Sequence, residues 1–466
     1  MRKLPKKAPS SVTPARYEAF TLLLEMENFA YAHADEMLRR PRISALSALD
    51  RNLCTTLVLG TLRWQLRIDS AIRALLSKPN ARLDPAIRIA LRLGVFQLHY
   101  LDRIPAHAAI SESVSLAKIA GHQHASRMVN AVLRMIAEQP RPESLQPNLS
   151  TAQLAEVTAH PLWLVERWVA NYGLERARAI CQHGQQQPEL SIRLENRAAE
   201  AELAAEGIQL APGAILTDAR RVLNGDVTAS EAFQSGRVRI QEEGSQLIAE
   251  LSASVIRSPS RILDCCAAPG GKTLILAELN PQAQITACEV NPARLEALKA
   301  RMSASPYTAR IAVRQADASA LEEGDFYDLV LADVPCSGTG TLGRNPEIRH
   351  RIQPADFERH HERQCAILRG ALRASKSRVI YSTCSLEPEE NCAVVAEVLA
   401  QSPDWRRIRV SEVLCELQEA GRLTLPGRER LNGAIAPDGS LTLLPGSLGP
   451  EAPTDGFFIA VLEKRS

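Results

Sequence analysis

A chain of 466 residues, 45% of them apolar, is long enough for two or three separate cores and apolar enough to bury them. Ten cysteines without one C-x-x-C pair argue against a secreted disulfide scaffold or a zinc ribbon and imply reduced, cytoplasmic thiols. The net charge of +2 hides an asymmetry: residues 1–150 hold 21 Lys+Arg against 12 Asp+Glu, a balance of +9, and the remainder 34 against 41, which points to a polyanionic partner for the first part.

The basic start, MRKLPKKAPSS, leads into PARYEAF rather than an apolar core and a small-residue cleavage site, so it does not read as a signal peptide. Arg2, Lys3, Lys6 and Lys7 read as a solvated tail. No run of about eighteen apolar residues marks a membrane span. From Pro14 to about Ala137 apolar residues recur at helical spacing, as in Leu22, Leu23 and Met26 or Leu57, Leu62 and Leu66, which predicts an all-helical domain over 1–140.

Pro140, Pro142 and Pro147 then mark a linker before a second helical stretch, HPLWLVERWVANYG at 160–173. Two short β-like runs, ELSIRLEN and RRVLNG, flank the helical AEAELAAEG, so 141–240 reads as a linker and a small α+β subdomain of the ferredoxin or RNA-recognition type. From Gly244 onward strands alternate with helices: RILDC, a helix from about Gly271, QITACEV, a helix from Pro292, IAVRQ, DLVLAD, a long helix near 356–374, and RVIYST. That alternation predicts a doubly wound, mostly parallel α/β domain over 241–466. The last runs, SLTLLP and GFFIAVLE, are expected to pair antiparallel and close the sheet edge.

The turn DCCAAPGGKT at 264–273 fits two anion-cradling loops. Gly271, Lys272 and Thr273 match the end of a nucleotide-triphosphate loop, G-x-x-x-x-G-K-[ST], but Cys266 stands where its first glycine belongs and Pro269 removes a backbone donor. The rival is the first strand-to-helix turn of an S-adenosyl-L-methionine-dependent methyltransferase, where glycines let the backbone approach the ligand. That reading needs an acid at the end of the next strand for the ribose hydroxyls, which Glu289 supplies, while Asp317 after the third strand can meet the adenine amino group.

Two later strands also end in chemistry. LVLADVPCSGTG at 329–340 and YSTCSLEPEEN at 381–391 put Cys336 and Cys384 at the ligand-binding edge, beside Asp333. Carbon 5 of cytosine is a poor nucleophile; a thiolate adding to carbon 6 makes it enamine-like and able to attack a sulfonium methyl. The other cysteines, Cys54, Cys181, Cys265, Cys266, Cys288, Cys365, Cys392 and Cys415, are expected to be small buried apolar residues.

CAAPGGK at 266–272, DVPCSGTG at 333–340 and YSTCSLEPEEN at 381–391 together resemble the RNA cytosine-5 methyltransferase family, over the region from about Ile240 to the end. ALDRNLCTTLVLGTLRW at 48–64, LGVFQLHYLDRIPAHAAISESVSLAK at 93–118 and MVNAVLRMI at 128–136 resemble the NusB-like RNA-binding domain that is fused to its RsmB, Sun or Fmu branch, which modifies small-subunit ribosomal RNA. The resemblance implies Cys384 as nucleophile, Cys336 as the thiol that assists product release, Asp333 as the acid that contacts the cytosine, and Lys272 near the active centre. It also implies a donor site made from Cys266, Ala267, Ala268, Pro269, Gly270, Gly271, Lys272, Glu289, Asp317 and Asp333. The implied cofactor is S-adenosyl-L-methionine and the implied partner RNA, with no DNA, membrane or obligate protein partner.

His122 with His124, and His360 with His361, lack a third ligand at metal-binding spacing and read as exposed helix histidines, so no metal is expected. Arg344, Arg349 and Arg351 could hold RNA phosphates or sit in a solvated loop. The same chemistry on transfer RNA, a non-catalytic RNA-binding assembly factor and a nucleotide triphosphatase are the alternatives.

Overall fold

The structure is a computed structural model, and it describes all residues except 1–4, 6–7, 29–32, 80–81, 142–145, 147, 322–325, 450 and 466. The cations Arg2, Lys3, Lys6 and Lys7, and the linker residues Pro142 and Pro147, lie outside the described residues. The chain forms two units, one of Met1–Gln187 with Leu342–Arg351 and the other of Pro188–Thr341 with Ile352–Ser466.

The first unit is helical, as the spacing predicts. Ser47 caps the long helix Ala48–Leu75 by accepting the Asp50 amide at 3.1 Å, and Asp84 caps Pro85–Tyr100 by accepting that of Ala86 at 2.9 Å. These two helices pack with Pro14–Asn28, Ala106–Ile119 and Ser126–Glu138 around Phe20, Leu57, Leu91 and Leu133. Gly60 permits the closest approach, since a Cβ there would fall 1.9 Å from the Phe96 ring. Further helices, Thr151–Val157, Leu162–Tyr172 and Leu174–Gln185, follow; the sequence reading anticipates only the second. No helix among the described residues is long and apolar enough to cross a membrane.

Residues 342–351 belong to this helical unit although the chain on either side of them does not. Arg349 is 1% exposed, and its guanidinium donates to the carbonyl oxygens of Gly184 at 2.9 Å, Leu342 at 3.2 Å, and Arg63 and Ala159 at 3.4 Å. Arg63 in turn donates to the Gly343 carbonyl at 2.7 Å, and His350 Nε2 donates to that of Leu62 at 2.7 Å. Glu347 accepts the Ala34 amide at 3.2 Å. Arg349 is thus neither a phosphate-binding surface residue nor part of a solvated loop. Carbonyls gathered from distant segments satisfy a cation that composition would place outside.

The second unit opens with a small antiparallel sheet of β1 (Leu190–Leu194), β2 (Gln209–Pro212), β3 (Ala219–Asn224) and β4 (Val238–Ile240) in the order β2-β3-β1-β4. The helix Arg197–Ala205 follows β1 and a one-turn helix, Glu231–Gln234, precedes β4, which gives the β-α-β-β-α-β ferredoxin-like order. Arg193 on β1 is fully buried and pairs at 2.7 Å with both Glu250 and Glu278. These two acids lie on the helices Glu243–Ser254 and Gly271–Leu279, which pack on the larger sheet.

That sheet contains β5 (Arg261–Asp264), β6 (Gln284–Glu289), β7 (Ile311–Gln315), β8 (Tyr327–Asp333), β9 (Ser375–Thr383), β10 (Trp405–Ile408), β11 (Leu441–Leu443) and β12 (Phe457–Lys464). Its order is β10-β12-β9-β8-β5-β6-β7, with β11 also on β12. β5 to β9 are mutually parallel, and β12 runs antiparallel to β9, β10 and β11. Both faces are covered, so alternate residues enter different cores. Ile262, Leu329, Leu331, Ile380 and Ile459 face one core, and Leu263, Val330, Ala332, Val379 and Phe458 the other. This is why LVLAD and FFIAVLE read as continuous apolar runs. The expected pairing of the last two runs is observed, but they do not close the edge: β12 is interior and β10, which the pattern hides, lies outside it.

Candidate active site

The parallel strands all end on one side, and the candidate residues follow from that. β5 delivers the turn at 265–270, β6 Glu289, β7 the loop holding Asp317, β8 Asp333 and then Cys336, and β9 Cys384. A cleft of about 510 Å³ lies there, lined among others by Cys266, Ala268, Glu289, Asp317, Asp333, Cys336 and Cys384. Open parallel sheets bind ligands in this crevice.

The turn itself is tightly fixed. The Ala267 amide donates to the Cys288 carbonyl at 2.8 Å, the Gly270 amide to that of Ala267 at 2.7 Å, and the Ala268–Pro269 peptide is cis. Gly270 has φ +96°, and a Cβ there would meet Met302 at 2.6 Å. No other residue fits both conditions. Ala267, Pro269, Gly270 and Gly271 do not line the cleft; they shape the turn behind it. Asp264 is buried beneath, accepts the Thr273 hydroxyl at 2.7 Å, and has its carboxyl pushed up to about 6 by burial.

Glu289 is buried, accepts the Asn291 amide at 2.9 Å and stands 3.6 Å from Arg294. Asp317 accepts the Ser319 amide at 2.9 Å and its hydroxyl at 2.7 Å, bonds that hold its carboxyl below the usual range. Glu289 and Gln315 are register partners on β6 and β7, so the two acids flank one end of the cleft. A pair of carboxylates beside a glycine turn suits a ligand with ribose hydroxyls and an exocyclic amine, and so fits S-adenosyl-L-methionine.

The other end is built around Asp333. One of its oxygens accepts from Lys272 Nζ at 2.7 Å and the other from the Ser382 hydroxyl at 2.7 Å. Burial works against the Lys272 charge, but Asp333 and Cys384 outweigh it and hold the ammonium above the usual lysine range. Cys336 Sγ and Cys384 Sγ lie 3.3 Å apart. The hydrogen bond with Cys384 comes first among the causes that push the Cys336 thiol well up, followed by burial and the charges of Cys384 and Glu390.

The sequence reading overlooks the groups beneath these thiols. Glu390 is fully buried and accepts the Ser337 amide at 2.8 Å, the Gln364 amide at 3.1 Å, and the hydroxyls of Ser337 and Ser385. Arg294, which donates to the Ala268 carbonyl at 2.7 Å, and Arg363 also line the cleft. A signal was available for Glu390, Ser337 and Ser385, which lie within DVPCSGTG and YSTCSLEPEEN; Gln364, Arg294 and Arg363 lie outside those motifs.

Cys54, Cys181, Cys265, Cys288 and Cys365 are buried as expected, but Cys266 lines the cleft and Cys392 and Cys415 are exposed. Each of the last two falls off the apolar stripe of its helix, formed by Val394, Val395 and Val398 in one case and by Val413, Leu414 and Leu417 in the other. His361 is not a free surface histidine: Nδ1 donates to the Glu389 carbonyl at 2.7 Å and Nε2 pairs with Glu397 at 2.8 Å. Cys365 approaches the same ring nitrogen at 3.6 Å, and Arg369 shares Glu397.

A family model described as 16S rRNA methyltransferase RsmB/F matches residues 256–463. A probable ribosomal RNA small subunit methyltransferase B of Bacillus subtilis (strain 168) is 33% identical, over 97% of this chain and 99% of its own. The chain belongs to the RsmB/F family of methyltransferases. A NusB family model matches residues 13–138, and the ferredoxin-like domain of RsmF/B-like methyltransferases matches 160–226, so the family relationship extends to the helical unit and the small sheet. The ribosomal RNA small subunit methyltransferase B of Pseudomonas putida is 32% identical over 82% of this chain and 87% of its own. S-adenosyl-L-methionine is the methyl donor of this RsmB/F chain.

Solved structures share the fold at lower identity. PH0851 superposes with a TM-score of 0.76 at 23% identity, covering 98% of this chain and 100% of its own. NSun6 from Pyrococcus horikoshii, solved with SFG, gives 0.54 at 17% identity over 66% of this chain and 100% of its own.

Proposed function

We propose that the protein is a cytoplasmic RNA (cytosine-5)-methyltransferase acting on small-subunit (16S) ribosomal RNA through a covalent cysteine adduct. The observation that carries this reading is the pair of thiols 3.3 Å apart in the lining of the cleft, next to an Asp333–Lys272 ion pair. A methyltransferase acting on an already nucleophilic atom needs neither thiol; carbon 5 of cytosine needs one.

When bound, S-adenosyl-L-methionine supplies an electrophilic methyl group. Glu289 and Asp317 would hold its ribose and adenine, with Cys266 and Ala268 of the glycine turn lining the cleft beside it. The target cytidine leaves its stack to enter the cleft. The Cys384 thiolate adds to carbon 6, its lone pair forming the S–C6 bond as the C5=C6 pair shifts toward carbon 5. As the adduct forms, nitrogen 3 takes a proton from water and donates a hydrogen bond to the Asp333 carboxylate, which Lys272 fixes in place. After methylation nitrogen 3 returns its proton and carbon 5 gives up its own to water, the C5–H electron pair re-forms the double bond, the S–C6 bond breaks and Cys384 leaves with its electrons; Cys336 assists that release. Residues 1–140 form the RNA-binding domain, in keeping with their charge.

Bisulfite sequencing of 16S ribosomal RNA and transfer RNA from cells with and without the gene tests the reading. Loss of one 5-methylcytosine from 16S ribosomal RNA is expected. Loss confined to transfer RNA, or no loss in either, overturns it.

A further inference from the structure

The two thiols come from different strands, yet the residues beside them converge on one buried side chain. Cys336 lies on the loop after β8 and Cys384 on the loop after β9. Ser337, which follows the first, and Ser385, which follows the second, both donate their hydroxyls to the same oxygen of Glu390. The Ser337 amide and Gln364 Nε2 take the other oxygen, at 2.8 and 3.1 Å. Gln364 Nε2 also donates to the Pro335 carbonyl at 2.9 Å, so Cys336 is gripped on both sides. Asn391, adjacent to Glu390, does the same for Cys384: its amide donates to the Ser385 carbonyl at 2.9 Å and its oxygen accepts the Thr383 hydroxyl at 2.5 Å.

Glu390 is 0% exposed and makes no ion pair among the described residues. A buried carboxylate without a cation is costly unless donors surround it, and here all four belong to the two cysteine loops and to Gln364. We propose that Glu390 is a positioning residue for the cysteine pair, holding the two loops at the separation that lets one thiol follow the other on the same base. The proposal rests on the covalent reading above. Its charge also bears on Cys336, whose thiol it helps to keep protonated while Cys384 attacks. Glutamine in its place brings one acceptor oxygen and an amide that meets donors with a donor; aspartate is one methylene too short to reach both loops.

The test uses the full chain. In the absence of RNA and donor, diamide takes two electrons and two protons from Cys336 and Cys384, forming their disulfide and its own hydrazine, and peptide mapping gives the rate. Glu390→Gln is expected to slow this cross-linking at least tenfold. It is also expected to lower kcat for methylation by about a hundredfold, the cost of displacing a reacting group by about 1 Å. The KM for RNA and the affinity for S-adenosyl-L-methionine stay within twofold. Glu390→Asp should resemble Glu390→Gln, and Glu397→Gln, on the neighbouring helix, should match the wild type. Cross-linking and kcat both within twofold of wild type in Glu390→Gln overturn the proposal. If that variant does not fold, Ser337→Ala and Ser385→Ala remove one donor each, and unchanged cross-linking in both overturns it equally. An active Cys384→Ala enzyme would instead remove the covalent reading and leave the cross-linking rates as a measure of what Glu390 does to the loops.

Discussion

The sulfur atoms of Cys336 and Cys384 lie 3.3 Å apart, just beyond the ends of two neighbouring parallel strands, and in the mechanism proposed above they act in turn on one base. Their roles separate by mutation. Cys384→Ala is expected to abolish methylation and form no covalent complex, because nothing activates carbon 5. Cys336→Ala should attack and transfer, then stall as a protein–RNA adduct that survives denaturing electrophoresis. The reverse pattern would exchange the roles, and full activity in both variants would end the covalent mechanism.

Donor binding is expected to depend on Glu289. A hydrogen bond to a charged group is worth about 2 kcal/mol, so Glu289→Ala should weaken S-adenosyl-L-methionine binding roughly thirtyfold in calorimetry. Asp317 is more exposed and Asp317→Asn should cost less. An unchanged Kd in Glu289→Ala would mean that the donor lies elsewhere in the cleft.

Asp264 should appear in the pH dependence of stability. Its folded value of about 6 lies above its ordinary 3.8, so the neutral carboxyl's contribution is fully present below pH 3.8 and is lost as pH rises through 6. The difference amounts to roughly 3 kcal/mol. Asp264→Asn keeps an acceptor for Thr273 and should remove this slope, making the variant more stable than wild type at pH 8. Denaturant titrations at pH 4 and pH 8 measure it; the same difference between those pH values in both proteins would place the titration on another group.

Arg193 joins the small sheet to two helices of the larger one, and its removal opens a buried cavity and takes one of two arginine partners from each of Glu250 and Glu278. Arg193→Ala is expected to cost about 3–5 kcal/mol in urea unfolding of the full chain. A loss under 1 kcal/mol would mean that Arg422 and Arg239, which also reach these acids, carry the pairing alone.

RNA affinity should draw on the helical unit. Arg73, Lys78 and Arg82 are exposed and make no ion pair among the described residues; Arg73 and Arg82 line a cleft there of about 430 Å³. Replacing all three with serine should flatten the plot of log affinity against log salt by about 2 if each meets a phosphate of unpaired RNA. Parallel slopes would locate the RNA path on another face.

The catalytic fold was legible because its signals are local. A strand, a glycine turn and a helix occupy consecutive residues, and the acids and thiols stand where parallel strands end, so Glu289, Asp317, Asp333, Cys336 and Cys384 could be aligned without coordinates. What stayed hidden depends on distant partners. Arg349 reads as a surface cation because its four carbonyl acceptors come from parts of the chain up to 286 residues away. Glu390 sat in a quoted motif, but nothing local says that its carboxylate faces two serines rather than water. β10, WRRI, carries two arginines in four residues and sits at an edge, where one face reaches solvent, so no apolar run announces it.

The placement of 342–351 in the helical unit has a temporal side. A ribosome makes residues 1–187 first, yet that unit lacks Arg349, His350 and Glu347 until some 150 further residues have been added. Until then the carbonyls of Leu62, Arg63, Ala159 and Gly184 await their donors. The usual order of synthesis, in which an N-terminal domain finishes before the next begins, therefore does not apply. The helical unit becomes complete only after the chain has passed through the cysteine loop of β8 and returned, so the first part of the protein to be made is among the last to be finished.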